Sequence, residues 1–299
     1  MSSKSKHIYL FKFIIALSFP IAGIVHYFIP IISWLKNQNL FVTCFTLTAY
    51  YFGFFIGNQY VLLSKSSLSR IVGILFTSHV ITTIVFAAYG YHILSIILSI
   101  ILGITTGGLL SLPSYIVLKP PRFFILSLTP LLGAGIIFVY GFDEVLLLSG
   151  ILAFFLSIFL LLSLKIVVVK PKLIEKTQGP IIAEGIILAL GVGIGSSIIN
   201  IIVPIIALIV FKADVIHIGA VFSISLIIIQ LIGWRVLKQE RVHRAMGSFI
   251  LASLIFSVLL MSLIEDLYLF LFLWILAIVD ISFLNSFITI INRSIKKFD

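Results

Sequence analysis

The sequence predicts an all-α integral membrane protein of about ten transmembrane helices. Of its 299 residues, 61% are hydrophobic and only 10% are charged, whereas soluble domains have about 45–50% apolar and about 25% charged residues. The apolar residues form long continuous runs, as membrane helices do, and do not alternate with polar ones as barrel strands do. The basic residues fall in every second linker. This composition excludes a water-soluble enzyme, a nucleic-acid-binding domain and a disordered chain.

The apolar runs define the predicted spans, because a helix needs about 20 mostly apolar residues to cross a bilayer. The first run is too long for a cleaved signal peptide and has no small-residue cleavage site after it. The single cysteine, Cys44, forms neither an internal disulfide nor a thiolate metal cluster, and we expect no cofactor. The ten predicted spans are 11–34, 40–63, 70–91, 93–117, 123–141, 144–165, 181–210, 215–235, 246–264 and 267–292.

The charges predict the orientation, since Lys and Arg are retained on the cytoplasmic side of a membrane. One set of linkers and the two termini hold 18 of the 20 basic residues. The other linkers hold Lys36 and Lys212 together with five of the ten acidic residues. We therefore expect a multi-pass protein of the plasma membrane with both termini in the cytoplasm. The net charge of +10 then reflects topology and contact with anionic lipids of the bilayer, and nucleic acid is not an expected partner.

An internal repeat relates the two ends of the chain. The segments 24–32 and 198–206 align on Pro30 and Pro204, and the difference in residue number, 204 − 30 = 174, is the repeat shift. The repeat shift also places Arg70 on Arg244. Spans 1–4 therefore map onto spans 7–10, and the even number of spans between the copies predicts the same orientation for both. The predicted domains are a six-helix bundle (1–169), a cytoplasmic linker (170–180) and a four-helix bundle (181–299).

Three segments resemble the major facilitator superfamily (MFS) of secondary transporters, whose members usually have twelve helices in two bundles. Residues 57–70 and 233–244 are similar to the glycine–acid–basic inner loop of that family, although Ser64 and Leu237 replace its aspartate. Residues 170–180 lie where the family joins its halves. Span 5 has the small-residue pattern of the family's exporters, with Pro130, Gly133 and Gly135. The resemblance implies an MFS-like 6+4 arrangement without the last two helices.

The same resemblance implies a transporter that moves a small solute by alternating access, with spans 1, 4, 7 and 10 around a central cavity. Asp280 lies near the middle of span 10, where a charge costs about 2.5–3.5 kcal/mol. It would face the cavity and bind a cation or carry a proton. The structural alternative is a neutral acid that is hydrogen-bonded to a neighbouring helix.

The repeat mates His26 and Asn200 are further candidates, because each lies one turn before a proline that frees backbone carbonyls. Histidine also titrates near neutral pH, so proton coupling is a hypothesis for His26 and Asp280 together. Simple helix–helix hydrogen bonding is the alternative, and we expect packing for His79 in span 3. Other substrate or ion contacts are Glu184, Tyr115 and Asn285, and candidates for an inner gate are Lys65, Arg70, Lys238, Arg241 and Arg244.

Other functions stay open at the level of sequence. A shortened relative could act as a non-transporting membrane scaffold, assembly factor or sensor, and the flank left by two missing helices would be open to a second copy in a homodimer. A drug/metabolite-type ten-helix transporter would have a five-plus-five inverted repeat, which the parallel shift disfavours. Catalysis is not expected, because the six histidines are scattered and no nucleophile stands beside a base.

Overall fold

The computed structural model describes residues 3–63, 68–89, 94–112, 127–163, 198–236 and 243–295. Within these ranges the chain forms ten α-helices and one π-helical turn, Ile198–Ile202, which leads directly into α7. Each predicted span overlaps one of the helices, so the prediction of an all-helical protein is confirmed for the described residues. The helices are α1 Ser3–Asn37, α2 Leu40–Leu63, α3 Leu68–Tyr89, α4 Leu94–Ser111, α5 Thr129–Tyr140, α6 Phe142–Ser163, α7 Val203–Ile209, α8 Val215–Val236, α9 His243–Met261 and α10 Leu267–Ile295.

Among the described residues, six helices are long and apolar enough to cross a membrane, namely α1, α2, α3, α6, α8 and α10. The described apolar parts of the other four are shorter. Helix α1 begins at Ser3, although its predicted span began at residue 11, because apolar content marks the bilayer and not the helix end. The predicted span 4 ran to residue 117, whereas α4 ends at Ser111. Pro113 disfavours the helical conformation at the residue before it.

The chain divides into two compact units. Unit 1 comprises residues 1–119 and 135–176, and unit 2 comprises residues 120–134 and 177–299. The break near residue 176 falls within the predicted linker. Residues 120–134, predicted to belong to the first bundle, group with unit 2. In unit 2 the start of α5 packs on α8, where Gly219 lies against Ala134 and the Leu131 amide donates to the Ser223 hydroxyl at 2.9 Å.

In unit 1, α2 and α4 are in backbone contact through glycines. A Cβ atom on Gly53 or Gly57 would meet the carbonyl oxygen of Ile100 or Ile104, and one on Gly103 or Gly107 would meet α2 in the same way. Small residues permit this close approach of membrane helices. Gly57 was assigned to the inner loop from sequence, but it lies within α2, which continues to Leu63.

The predicted repeat corresponds to a repeat of helix boundaries. The repeat shift carries Leu40, Leu68 and Leu94, which begin α2–α4, to within one position of the beginnings of α8–α10. The turn after the proline-containing helix also matches. Gln38 and Lys212 are related by the repeat shift (212 − 38 = 174), and both adopt a left-handed conformation with φ of 46° and 50°. Such a conformation is uncommon outside glycine, so its recurrence at this spacing supports the repeat.

Polar residues at the predicted outer side form helix caps and an ion pair. Asn39 Oδ1 accepts hydrogen bonds from the amides of Phe41 and Val42, and Asp214 and Asp266 cap α8 and α10. Lys36 pairs with Asp143 at 2.5 Å, which connects the end of α1 to the start of α6. These residues therefore stabilise helix ends.

Candidate functional site

The middle of α1 is buried except at two neighbouring residues. From residue 21 to residue 33 every residue is buried apart from His26 and Tyr27, which are half-buried. Both lie near the centre of the apolar segment Ala16–Asn37. A histidine at that depth requires a reason, because ionisable residues inside membranes are costly and usually functional. The structure thus places one of the predicted candidates, His26, at an accessible position.

Four aromatic rings surround the imidazole of His26. The Phe54 ring is stacked on it, with ring centroids 4.7 Å apart and an interplanar angle of 25°. Tyr27 and Tyr51 approach it edge-on, at centroid distances of 5.6 and 5.8 Å. Tyr50 completes the group, and its hydroxyl lies 3.3 Å from His26 Nδ1. We call His26, Tyr27, Tyr50, Tyr51 and Phe54 the His26 cluster.

Further polar atoms adjoin the His26 cluster. The Tyr50 ring is fully buried, and its hydroxyl interacts with Thr106 on α4. Thr106 Oγ1 is also buried but lies outside hydrogen-bond geometry with any described residue. Pro30 has no N–H group and cannot donate to the carbonyl of His26 four residues earlier. The cluster therefore combines aromatic surface with unused hydrogen-bonding capacity.

The His26 cluster contains no Asp, Glu, Lys or Arg, and the described apolar spans around it carry such residues only at their ends. These charged residues are Lys36, Arg70, Asp143 and Glu144. Apart from a proton on the imidazole of His26, the cluster can therefore offer a ligand ring stacking and neutral hydrogen bonds.

His79 is the centre of a separate, fully buried network. Its Nδ1 lies 3.1 Å from Thr105 Oγ1 on α4, and its Nε2 lies 3.0 Å from Ser149 Oγ on α6. Ser149 in turn donates to the carbonyl of Ile21 on α1 at 2.8 Å. One histidine thus connects four helices, which agrees with the packing role expected from sequence.

Asp280 is half-buried on α10, and its described polar neighbour is on α9. Its carboxyl interacts with the hydroxyl of Ser253, while Oδ2 forms no hydrogen bond with any described residue. Asp280 and Thr106 are repeat mates (280 − 106 = 174), and so are Ser253 and His79 (253 − 79 = 174). His79 contacts Thr105, the residue before Thr106, so the two contacts join corresponding helices at positions that differ by one residue.

Asn200, the repeat mate of His26, lies in the π-helical turn before α7 and is half-buried. It has an interaction partner. In a π-helix the carbonyl of residue 199 would accept from residue 204, but Pro204 has no N–H. Trp274 Nε1 donates to the Ile199 carbonyl instead, at 3.0 Å. One predicted free carbonyl is thus occupied by a side chain of α10.

The structure locates few of the other predicted site residues. Arg70 is exposed at the start of α3, and no described contact joins it to another candidate. Asn285 lies on α10 and Arg244 on α9, at positions whose side chains the structure does not describe. The remaining candidates, Glu184, Tyr115, Lys65, Lys238 and Arg241, lie outside the described residues.

Sequence reasoning missed the aromatic members of the His26 cluster. The run from Tyr50 to Phe55 contains five aromatic residues in the middle of span 2, away from the interfaces where aromatic residues usually anchor a helix. That position was the available signal. Which of the rings face α1 was not evident without the pairing of the helices.

A scan against models of protein families finds no match for this chain, and neither does a search of curated proteins. Among solved structures the chain resembles the crystal structure of a bacterial homolog of the human lysosomal transporter Spinster, in an inward-facing and unoccupied conformation. The TM-score is 0.59 at 12% sequence identity, and the match covers 97% of this chain and 76% of that chain.

Identity this low speaks to the fold alone. Together with the six helices that can span a membrane, the likeness confirms the fold that the sequence resemblance implied. The protein is a multi-pass membrane protein with a helical fold like that of this solved transporter.

Proposed function

We propose that the protein is a membrane transporter that moves a small solute by alternating access, and that the His26 cluster contacts the solute. The observation that carries this proposal is the exposure of His26 and Tyr27 in the otherwise sealed middle of α1. A polar aromatic surface at mid-membrane depth, on a transporter fold, is where a solute would be bound.

We also propose that a proton accompanies the solute. A carboxylate within a membrane is costly, and Asp280 has one oxygen without a partner among the described residues, so it is suited to gain and lose a proton. His26 is the second candidate. An inward-directed proton gradient would then drive uptake, and Asp280→Asn would remove this dependence while solute exchange without a gradient continues.

The predicted orientation completes the proposal. Both termini and the basic linkers lie in the cytoplasm of a cell with this protein in its plasma membrane. Arg70 and the basic residues of the loop after α8 would close the inner side. Asn200, Glu184, Tyr115 and Asn285 remain proposed contacts of solute or ion.

A reconstituted flux assay tests the function. Liposomes containing the purified protein are incubated with a metabolite mixture, and the trapped solutes are identified by mass spectrometry with protein-free liposomes as the reference. We expect at least one solute to accumulate, and His26→Ala to lower its accumulation more than tenfold. His217→Ala is the matched control, because His217 is on the outer cap of α8. No accumulation of any solute would contradict transport and favour a scaffold or sensor.

A further inference from the structure

We infer that the solute contacting the His26 cluster is uncharged and carries a flat aromatic ring with at least one hydrogen-bonding group. This inference rests on the proposed transport function and names its substrate class. It is drawn from the side chains of unit 1 alone.

The open side of the His26 cluster does not coincide with the exposed phenylalanines of α2. Helix α2 exposes a stripe of phenylalanines, among them Phe41, Phe45, Phe52 and Phe55, each at least 50% exposed. Their spacing of three to four residues marks one side of the helix, which is the side suited to lipid. Tyr50 and Phe54 lie on the opposite side of α2. The half-buried rings of Phe54 and His26 are thus reached from a side other than the phenylalanine stripe.

The ring geometry of the His26 cluster favours a flat aromatic solute. His26 and Phe54 already form a stacked pair, while Tyr27 and Tyr51 present their edges to the imidazole. Aromatic rings prefer these offset-stacked and edge-to-face arrangements. A further flat ring added to this group gains the same contacts, whereas a compact aliphatic group gains only apolar burial.

The charged and hydrogen-bonding groups around the His26 cluster favour a neutral solute with a polar group. The described apolar spans of unit 1 contain no charged residue away from their ends, so a charged group placed against the His26 cluster would lose its hydration and find no opposite charge among these spans. Neutral groups are available for hydrogen bonds. His26 Nε2 has no partner among the described residues, and the buried Thr106 hydroxyl forms no hydrogen bond there beyond its interaction with Tyr50.

The repeated helices do not need the rings of the His26 cluster for their packing. The repeat shift assigns aliphatic or small side chains to the positions of Tyr27, Tyr50, Tyr51 and Phe54. These residues are Ile201, Ile224, Ser225 and Ile228. Unit 2 forms the corresponding helices without an aromatic cluster at these positions, so the rings of unit 1 are an addition to the common plan.

A matched panel of probes tests the inference on the purified full chain. N-acetyl-tyrosinamide is neutral and aromatic, N-acetyl-leucinamide is neutral without a ring, and N-acetyl-tyrosine has the ring with a negative charge. Binding is measured by equilibrium dialysis and by the thermal midpoint. We expect the aromatic amide to bind roughly tenfold more tightly than either analogue. Equal binding of the three, or no binding of the aromatic amide, would overturn the inference.

Two variants locate the site. Phe54→Leu removes a ring and keeps an apolar side chain, so it should weaken binding of the aromatic amide roughly fivefold. Phe55→Leu is its control on the phenylalanine stripe and should leave binding unchanged, and a comparable loss in both variants contradicts the assignment.

Liposome uptake of the same probes separates the two proposals. Ring-dependent binding without uptake contradicts transport alone, while uptake of N-acetyl-leucinamide unaffected by Phe54→Leu contradicts the substrate class alone.

Discussion

Unit 1 and unit 2 contain the same order of four helices but differ at their centres. Where α2 and α4 touch through Gly53, Gly57, Gly103 and Gly107, the matching positions of α8 and α10 hold Ile227, Leu231, Ala277 and Ile281. Trp274, fully buried and 5.4 Å from the Phe222 ring between centroids, occupies the position of Ile100. Unit 1 thus has close backbones and a polar aromatic cluster, and unit 2 is filled by large side chains.

This difference indicates that the boundaries of the helices and the side chains that pack between them are specified separately. The apolar runs, the helix caps and the left-handed residues Gln38 and Lys212 recur at nearly the same spacing. The residues that contact one another inside each unit do not. A shared architecture therefore does not imply a shared binding site, and the rings proposed to contact the solute belong to unit 1.

The largest expected effect comes from the glycine contact. Gly103→Ala would put a methyl group against the backbone of α2, and relief by helix separation should cost at least about 1–3 kcal/mol. Gly73→Ala is the matched control in α3, where an added Cβ has nothing within 4 Å. Thermal unfolding of the purified variants measures both. A Gly103→Ala protein as stable as the Gly73→Ala protein would show that α2 and α4 are not in backbone contact.

The buried network of His79 should rank next. His79→Leu removes the hydrogen-bonding partner of Thr105 and Ser149, which should lower the free energy of unfolding by about 1–3 kcal/mol. Its repeat mate Ser253 interacts with Asp280 on one neighbouring helix, so Ser253→Ala should have the smaller effect. Chemical denaturation in detergent gives the ranking, and a reversed order would contradict the role of His79 as the connecting residue.

The Lys36–Asp143 pair should show an asymmetric effect. The Lys36 side chain is 8% exposed and that of Asp143 is 41% exposed. Asp143→Asn leaves a buried ammonium group without its counter-charge and should destabilise unit 1 by roughly 1–2 kcal/mol. Lys36→Met leaves a carboxylate that water can reach, so its cost should be lower. Equal costs in thermal unfolding would indicate that the pair is solvated. Val210, at the matching position of unit 2, has no charge to balance.

The smallest effects should come from the helix caps, and there the two units should agree. Asn39→Ala and Asp214→Ala each remove a side chain that accepts from the first turn of a helix. Each should cost about 0.5–1 kcal/mol. The thermal midpoints of the two variants provide the comparison. If one substitution leaves the thermal midpoint unchanged and the other lowers it strongly, the helix ends of the two units differ as much as their centres.

The sequence predicted the order of the helices and the first residues of α2, α8 and α10, because the bilayer imposes a length of apolar chain on each span. It also predicted His26 as a candidate. It could not predict Tyr50 or Phe54 as neighbours of His26, since an apolar run around the whole helix does not reveal which side faces which partner. For the same reason the contact of Asp280 with Ser253 on α9 required the structure, and the occupation of the Ile199 carbonyl by Trp274 required the fold of a distant segment.

The central claim is that one four-helix plan is used twice with the same orientation across the membrane. In a Cys44→Ser background, single cysteines at positions 38 and 212, and at positions 66 and 240, form two pairs that are each related by the repeat shift. A membrane-impermeant maleimide applied to intact cells should label Gln38→Cys and Lys212→Cys, and should label Ser66→Cys and Glu240→Cys only after permeabilisation. Labelling of the two members of a pair from opposite sides would contradict the parallel repeat and the transporter model built on it.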